Sequence, residues 1–318
     1  MDTIKKSTCS ILLLIASLVW GVSFVAQSIG GSLLTPIAYN ALRMFLGAVV
    51  ILICTLIFTD KKGISQKPQP GLMTKKQIIT GIICGIFLTI ATNAQQFALN
   101  LGVPVGKAGF VTALYIVLVP VIGLFFKQKT KWNTWAAVFM AVVGLYFLCV
   151  TDGFSFSFAD ILLVLCALSF SFQIIVIDHH ATDLDSLRLA GMEFLVCAVL
   201  SAVMAVFFEI LPYEGGSPAW FSLLSSAKLW LTIIYMGVFS CGVGYSFQIL
   251  GQKNLDPTLA SLIMSLESVF SALSGWLILG EKLTVREISG CIIMFAAIVI
   301  TQLDFKKMIN KKLLRRIR

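Results

Sequence analysis

Along the chain, apolar runs of about 20 residues alternate with short polar or charged breaks. A bilayer-crossing helix needs about 20 mostly apolar residues. Ten such spans are predicted, near 9–29, 35–58, 77–100, 104–126, 132–150, 159–177, 187–209, 228–251, 256–279 and 284–303. The runs are apolar on most sides, unlike one-faced soluble helices, and too long for alternating barrel strands. Two connections are longer than the rest, 59–76 with Gly63, Pro68, Pro70 and Gly71, and 210–227 with Pro212, Gly215, Gly216 and Pro218. Both carry turn residues and no helical apolar pattern, which predicts loops. Lys5 and Lys6 precede the first run as in a signal peptide, but no small-x-small cleavage site follows, so a retained span is expected.

Composition narrows the class. The 318 residues are 58% hydrophobic and 12% charged, with a mean hydropathy of +0.95. Soluble domains carry about 25% charged residues, and half of that cannot cover a water-facing surface. The eight cysteines (Cys9, Cys54, Cys84, Cys149, Cys166, Cys197, Cys241 and Cys291) form no C-x-x-C pair and sit in or beside apolar runs. They read as small hydrophobes, not as a disulfide framework or zinc site.

The net charge of +9 reads through its placement. With the N-terminus inside, 19 Lys and Arg fall on inside segments and four (Lys107, Lys228, Lys282, Arg286) on outside ends, with Arg43 within a span. This positive-inside bias predicts both termini in the cytoplasm. The basic tail 304–318 then lies against anionic lipid, and no nucleic-acid partner is expected. The loop Asp178–Asp185 is acidic where the rule wants cations, but acids weigh little in it. His179 and His180 with Asp178 and Asp183 hint at a metal, yet a short solvated loop accounts for them; no metal and no cofactor is expected.

The chain repeats itself. A shift of 153 lays Pro104 on Pro257, Gln95 on Gln248 and Lys129 on Lys282, while a shift near 150 lays 18–25 on 168–175 and Arg43 on Glu193. Each half holds five spans, an odd number, so the second half sits inverted relative to the first. Inverted repeats are a common architecture of secondary transporters, in which two near-equivalent halves exchange conformations around a central site.

Each half resembles the EamA domain of the drug/metabolite transporter (DMT) superfamily. The resemblance rests on Trp20–Val25 (WGVSFV), Arg43 and Phe110–Pro120 (FVTALYIVLVP) in the first half. In the second it rests on Ala260–Leu279, Gly280-Glu281-Lys282-Leu283-Thr284 and Gly290. It departs where Lys127-Gln128-Lys129 stands for Gly-Glu-Lys, where Leu273 faces Pro120, and where Phe170-Ser171 replaces Trp-Gly. The expected fold is all-α integral membrane: ten transmembrane helices as two inverted five-helix repeats. The expected organisation is a cytoplasmic N-terminus 1–8, first repeat 9–150, second repeat 151–303 and basic cytoplasmic tail 304–318. The resemblance implies a central cavity lined by spans 1, 3, 4, 6, 8 and 9. It also implies small-molecule export (amino acids, metabolites, drugs) across a bacterial plasma membrane.

Ionisable residues within spans are costly and are functional candidates by default. Glu267 lies about ten residues into span 9, roughly 15 Å deep. A carboxyl there can exchange a proton as coupling ion or bind an ammonium group; it can equally make a structural bond or pair with Arg43. Arg43 and Glu193 share its class as coupling or ion-pair candidates, each with a structural reading beside it. Lys107 is expected to snorkel outward. Candidates for a polar cavity wall are Trp20, Ser23 and Gln27 in span 1, Asn93, Gln95 and Gln96 in span 3, and Tyr115 in span 4. Gln173 in span 6, Tyr245 and Gln248 in span 8, and Ser268 in span 9 complete the set. Interhelical bonding is the alternative for each.

The reading is a secondary active transporter, not an enzyme, with a small-molecule substrate, the lipid bilayer and a proton as the candidate counter-ion. The chain has two His, no Gly-x-Ser-x-Gly and no phosphate-cradling loop, which disfavours a membrane enzyme or an ATP-driven pump. A channel or receptor stays open as the alternative.

Overall fold

The computed structural model describes residues 6–58, 73–126, 132–149, 157–180, 184–252, 254–280 and 284–302. The first five membrane-length helices are α1 (Lys6–Gly31), α2 (Pro36–Phe58), α3 (Lys75–Asn100), α4 (Val105–Phe125) and α5 (Trp132–Cys149). The second five are α6 (Phe158–His180), α7 (Ser186–Ala205, carried on by a wide π-type turn Val206–Ile210), α8 (Ala227–Gln252), α9 (Pro257–Leu279) and α10 (Val285–Gln302). Among the described residues there is no strand. Eight of these helices are long and apolar enough by themselves to cross a bilayer; α5 and α10 hold shorter apolar stretches, 135–144 and 288–297. Each of those two helices has 18 residues, about 27 Å at 1.5 Å per residue, close to the hydrocarbon thickness of about 30 Å. Exposed Ile, Leu and Phe such as Leu52, Phe139, Phe207 and Leu277 give the outer surface to lipid.

Two expected loops differ. The 210–227 connection contains a helix, Gly216–Ser222, entered through Gly215 and Gly216 at φ 88° and 77°. Its buried Trp220 donates from Nε1 to Thr35 Oγ1 at 3.1 Å; seven residues are too few to show periodicity in sequence. In the segment 178–185, Asp178 to His180 continue α6, and Asp185 caps α7 by accepting from Leu187 N and Arg188 N at 3.0 and 3.1 Å. Asp183, the 59–72 loop, Glu281–Leu283 and the tail lie outside the described residues.

Contacts between helix ends fix the crossing directions. On one face, opposite the N-terminus and here called the far face, α1 ends beside the end of α3, with Asn100 Nδ2 donating to Gly31 O at 2.9 Å. There too Glu209, ending α7, accepts from Ile37 N and Ala38 N at the start of α2, both at 2.8 Å. On the near face the start of α3 meets the start of α7, through Gln77 Nε2 to Asp185 O at 3.1 Å. The chain therefore crosses back and forth.

The packing is unchanged when the halves are exchanged. α2 packs on α7, α4 on α9 and α5 on α10, each pair being its own counterpart. α1 packs on α8 and α9, as α6 packs on α3 and α4; α3 lies on α7 as α8 lies on α2. Helix ends set the register. α2 and α7 start 150 residues apart, at Pro36 and Ser186. α3 and α8 begin 152 apart, and the first segments of α4 and α9, Val105–Thr112 and Pro257–Met264, begin and end 152 apart. The offset at those ends is 152, not the 153 that aligns the two prolines, while the lining pairs Gln95 with Gln248 and Thr92 with Tyr245 stand 153 apart. Pro104 stands at the cap position before α4, whereas Pro257 is the first residue inside α9, behind its cap Asp256.

Candidate functional site

α4 and α9 are both interrupted near mid-membrane, at Ala113–Leu114 and Ser265–Leu266. In α4 the bonds tighten to Leu114 N→Val111 O (3.2 Å) and Ile116 N→Ala113 O (3.0 Å). In α9 the counterparts are Leu266 N→Ile263 O (3.2 Å) and Ser268 N→Ser265 O (3.1 Å). Local chemistry favours the break in α9. Ser261, Ser265, Ser268, Ser271 and Ser274 each turn Oγ back onto the carbonyl three residues earlier, at 2.7–3.0 Å, and such back-bonding bends helices. In α4, Pro120 lies inside the second segment, beyond the interruption.

The first residues after the two breaks are Tyr115 and Glu267, which are repeat equivalents. They are neighbours, but strict geometry leaves Tyr115 Oη and Glu267 Oε1 among the buried atoms with no hydrogen-bond partner. Both line a central cavity with about 40 Å³ of room, enough for a few water molecules in this state.

The wall is built from several helices. α1 presents Trp20, Ser23, Phe24 and Gln27, one helical face at steps of three and four. α3 gives Thr92 and Gln95, α6 gives Phe170 and Ile174, and α8 gives Ser240, Tyr245 and Gln248. The expected lining lacked one helix: α2 contributes Arg43 and Met44. Trp20 is held by Nε1→Ser240 O at 3.3 Å and by an edge contact with Tyr245, centroids 5.0 Å apart. Gly244 makes room for that indole, since a Cβ there would meet Trp20 Nε1. Tyr245 in turn meets Phe194 edge-on at 5.1 Å.

Arg43 reaches the cavity at 2% exposure. Its Nε donates to Asn40 Oδ1 at 2.8 Å, while Nη2 is buried without a partner. Asn40, unnoticed in the sequence, anchors the guanidinium: its Nδ2 reaches Thr92 Oγ1, Asn93 Oδ1 and Ser201 Oγ at 3.0, 3.1 and 3.2 Å. Among the described residues no carboxylate pairs with Arg43 and no cation pairs with Glu267.

Of the sequence candidates, Trp20, Ser23, Gln27, Arg43, Gln95, Tyr115, Tyr245, Gln248 and Glu267 meet in the cavity. Five do not. Asn93 belongs to the Asn40–Ser201 network, donating to Ser201 Oγ at 2.8 Å. Gln96 ties α1 to α3 through Gln27 O at 3.1 Å and bonds Asn100 Oδ1 at 2.9 Å. Gln173 Nε2 bonds Glu193 Oε2 at 3.0 Å, away from the wall. Ser268 back-bonds Ser265 O at 2.7 Å. Lys107 does not simply snorkel: its Nζ pairs with Asp160 Oδ1 at 2.8 Å. Among the described residues no group of three His, Cys, Asp or Glu could hold a metal.

Comparison with known proteins agrees with this architecture. A crystal structure with 20% sequence identity superposes with a TM-score of 0.75 over 94% of this chain and 99% of that one, a shared fold. An uncharacterized transporter of Archaeoglobus fulgidus is 28% identical over 95% of this chain and 88% of its own length. A probable amino-acid metabolite efflux pump of Salmonella typhimurium is 22% identical over 93% and 95%. The EamA-like transporter family matches residues 7–150 and 157–303. The chain is a multi-pass membrane transporter, not an enzyme, and it belongs to the EamA-like transporter family.

Proposed function

We propose that this transporter is a secondary active exporter of a small amphipathic metabolite of the amino-acid class. It works by alternating access in the plasma membrane, with both termini cytoplasmic. The observation that carries the reading is one cavity holding a partnerless guanidinium nitrogen and a partnerless carboxylate oxygen, Arg43 Nη2 and Glu267 Oε1, along with aromatic side chains. A guanidinium recognises a carboxylate in a fixed planar geometry. A carboxylate recognises an ammonium group, and Trp20, Tyr245 and Phe170 accept an apolar side chain. The Salmonella relative named as a probable amino-acid metabolite efflux pump supports the same class.

Glu267 also offers a place for coupling. A carboxyl that binds either a proton or the substrate's ammonium makes the two compete, which is the logic of exchange. The test is saturable counterflow of radiolabelled L-leucine in proteoliposomes at two pH values. Saturable, pH-dependent flux lost in Glu267→Gln supports the reading. Non-saturating flux supports a channel instead, and unchanged pH dependence in Glu267→Gln removes the coupling role. Reagent labelling of a cysteine placed in the basic tail from one side of sealed vesicles checks the orientation.

A further inference from the structure

The cavity does not share the symmetry of the fold around it. Trp20 and Phe170, Phe24 and Ile174, and Tyr115 and Glu267 are repeat equivalents that all line it. On α1 and α2, two polar lining residues have polar equivalents that stand outside: Ser23 is matched by Gln173 and Arg43 by Glu193. Both equivalents are wholly buried, each 0% exposed. Each also keeps one side-chain oxygen with no donor, Gln173 Oε1 and Glu193 Oε1, and the two are bonded to each other through Gln173 Nε2 and Glu193 Oε2.

We propose that Glu193 and Gln173 join the polar wall of the cavity in the carrier's second access state, replacing Arg43 and Ser23. The inference rests on the alternating-access reading above. When two inverted repeats exchange conformations, each residue takes over the surroundings of its mate. In the present state α2 lines the cavity and α7 does not. In the other state α7 lines it and α2 withdraws. The path is already greased on one side, since Phe194 beside Glu193 touches the cavity residue Tyr245. Gly85 lets α3 ride closely on α7 at this point, where a Cβ would lie 2.9 Å from Glu193 O.

The exchange changes the sign of the site. A substrate carboxylate meets a guanidinium in one state and a carboxyl in the other. A bound anion is therefore held on one side of the membrane and expelled on the other, so the half-saturation concentrations at the two faces should differ at least about tenfold, the ratio for 1.4 kcal/mol.

The decisive experiment uses no substrate. In a chain cleared of its eight native cysteines, Arg43→Cys, Glu193→Cys and the lipid-facing control Val199→Cys are exposed to an impermeant methanethiosulfonate in right-side-out and inverted vesicles. Expected is labelling of Arg43→Cys from one face, of Glu193→Cys from the opposite face, and of Val199→Cys from neither. An inert Glu193→Cys beside a reactive Arg43→Cys, or both reacting from one face, overturns the proposal. If the cysteine-free chain fails to fold, Glu193→Gln in the native background gives the second readout. The ratio of L-leucine half-saturation at the two faces should fall to within about threefold, and an unchanged ratio overturns the proposal. Saturable flux with an inert Glu193→Cys breaks this inference alone, whereas no saturable flux breaks the transport reading itself.

Discussion

α4 and α9 share a backbone but not a chemistry. Both break at the same repeat position, and the residue after each break points into the same cavity. Yet α4 places a phenol there, Tyr115, and α9 a carboxylate, Glu267. The two also hold their first turns differently. Asp256 caps α9 by accepting from Thr258 N at 2.9 Å, while Pro104 gives α4 no side-chain cap. Instead α4 is moored by Lys107 to Asp160, at a position where α9 carries Leu259. The repeat thus supplies a symmetric frame that can be inverted, and the unrepeated side chains decide what each half does with it.

The sharpest way to break the comparison is to erase the charged difference at the two breaks. Glu267→Gln keeps the shape and removes the charge. A charge-assisted bond is worth about 1.5–3 kcal/mol, so saturable L-leucine flux should fall about 10- to 100-fold. Tyr115→Phe, which removes only the hydroxyl of the neutral partner, should cost less. Equal losses in the two variants would mean that the halves contribute alike. Asn40→Ala comes next. It strips the acceptor from Arg43 Nε and the donor from Thr92, Asn93 and Ser201. Thermal unfolding in detergent should show a loss of about 2–3 kcal/mol, the range for breaking a buried bond to a charged group. A Tm unchanged within error would show that the network carries no load.

The frame was legible in the sequence because apolar length and odd span number are coarse properties that survive low identity between the halves. All ten helices fall within a few residues of their predicted bounds. Less visible was what depends on register. One residue of slip, 153 against 152, hides that Tyr115 and Glu267 are mates, because two prolines look equivalent while sitting on either side of a helix cap. Asn40 escaped notice because an uncharged amide one turn from Arg43 gives no signal of its own. The polar candidates were found as a class, but composition cannot say which face of a helix meets the cavity. Gln95 and Gln96 are adjacent, and only the first reaches it.

A milder test makes one helix resemble the other. Asp160 closes a capping box, accepting from Ser157 N and Oγ at 2.8 and 2.9 Å, while it holds Lys107 at 2.8 Å. Asp160→Asn preserves an acceptor for Ser157 and removes the ion pair, leaving α4 as unmoored as α9. Lys107 is one-third exposed, so solvent screens the pair and the expected loss is about 0.5–1 kcal/mol, read as a small fall in Tm. Asp256→Ala removes the matching device from α9 and should cost about 1 kcal/mol. Neither residue touches the cavity, so half-saturation for L-leucine should stay within error in both variants. A changed half-saturation in Asp160→Asn, with Asp256→Ala silent, would mean that the far-face mooring of α4 gates access, not merely stability. The two broken helices would then differ in their movement as well as in their chemistry.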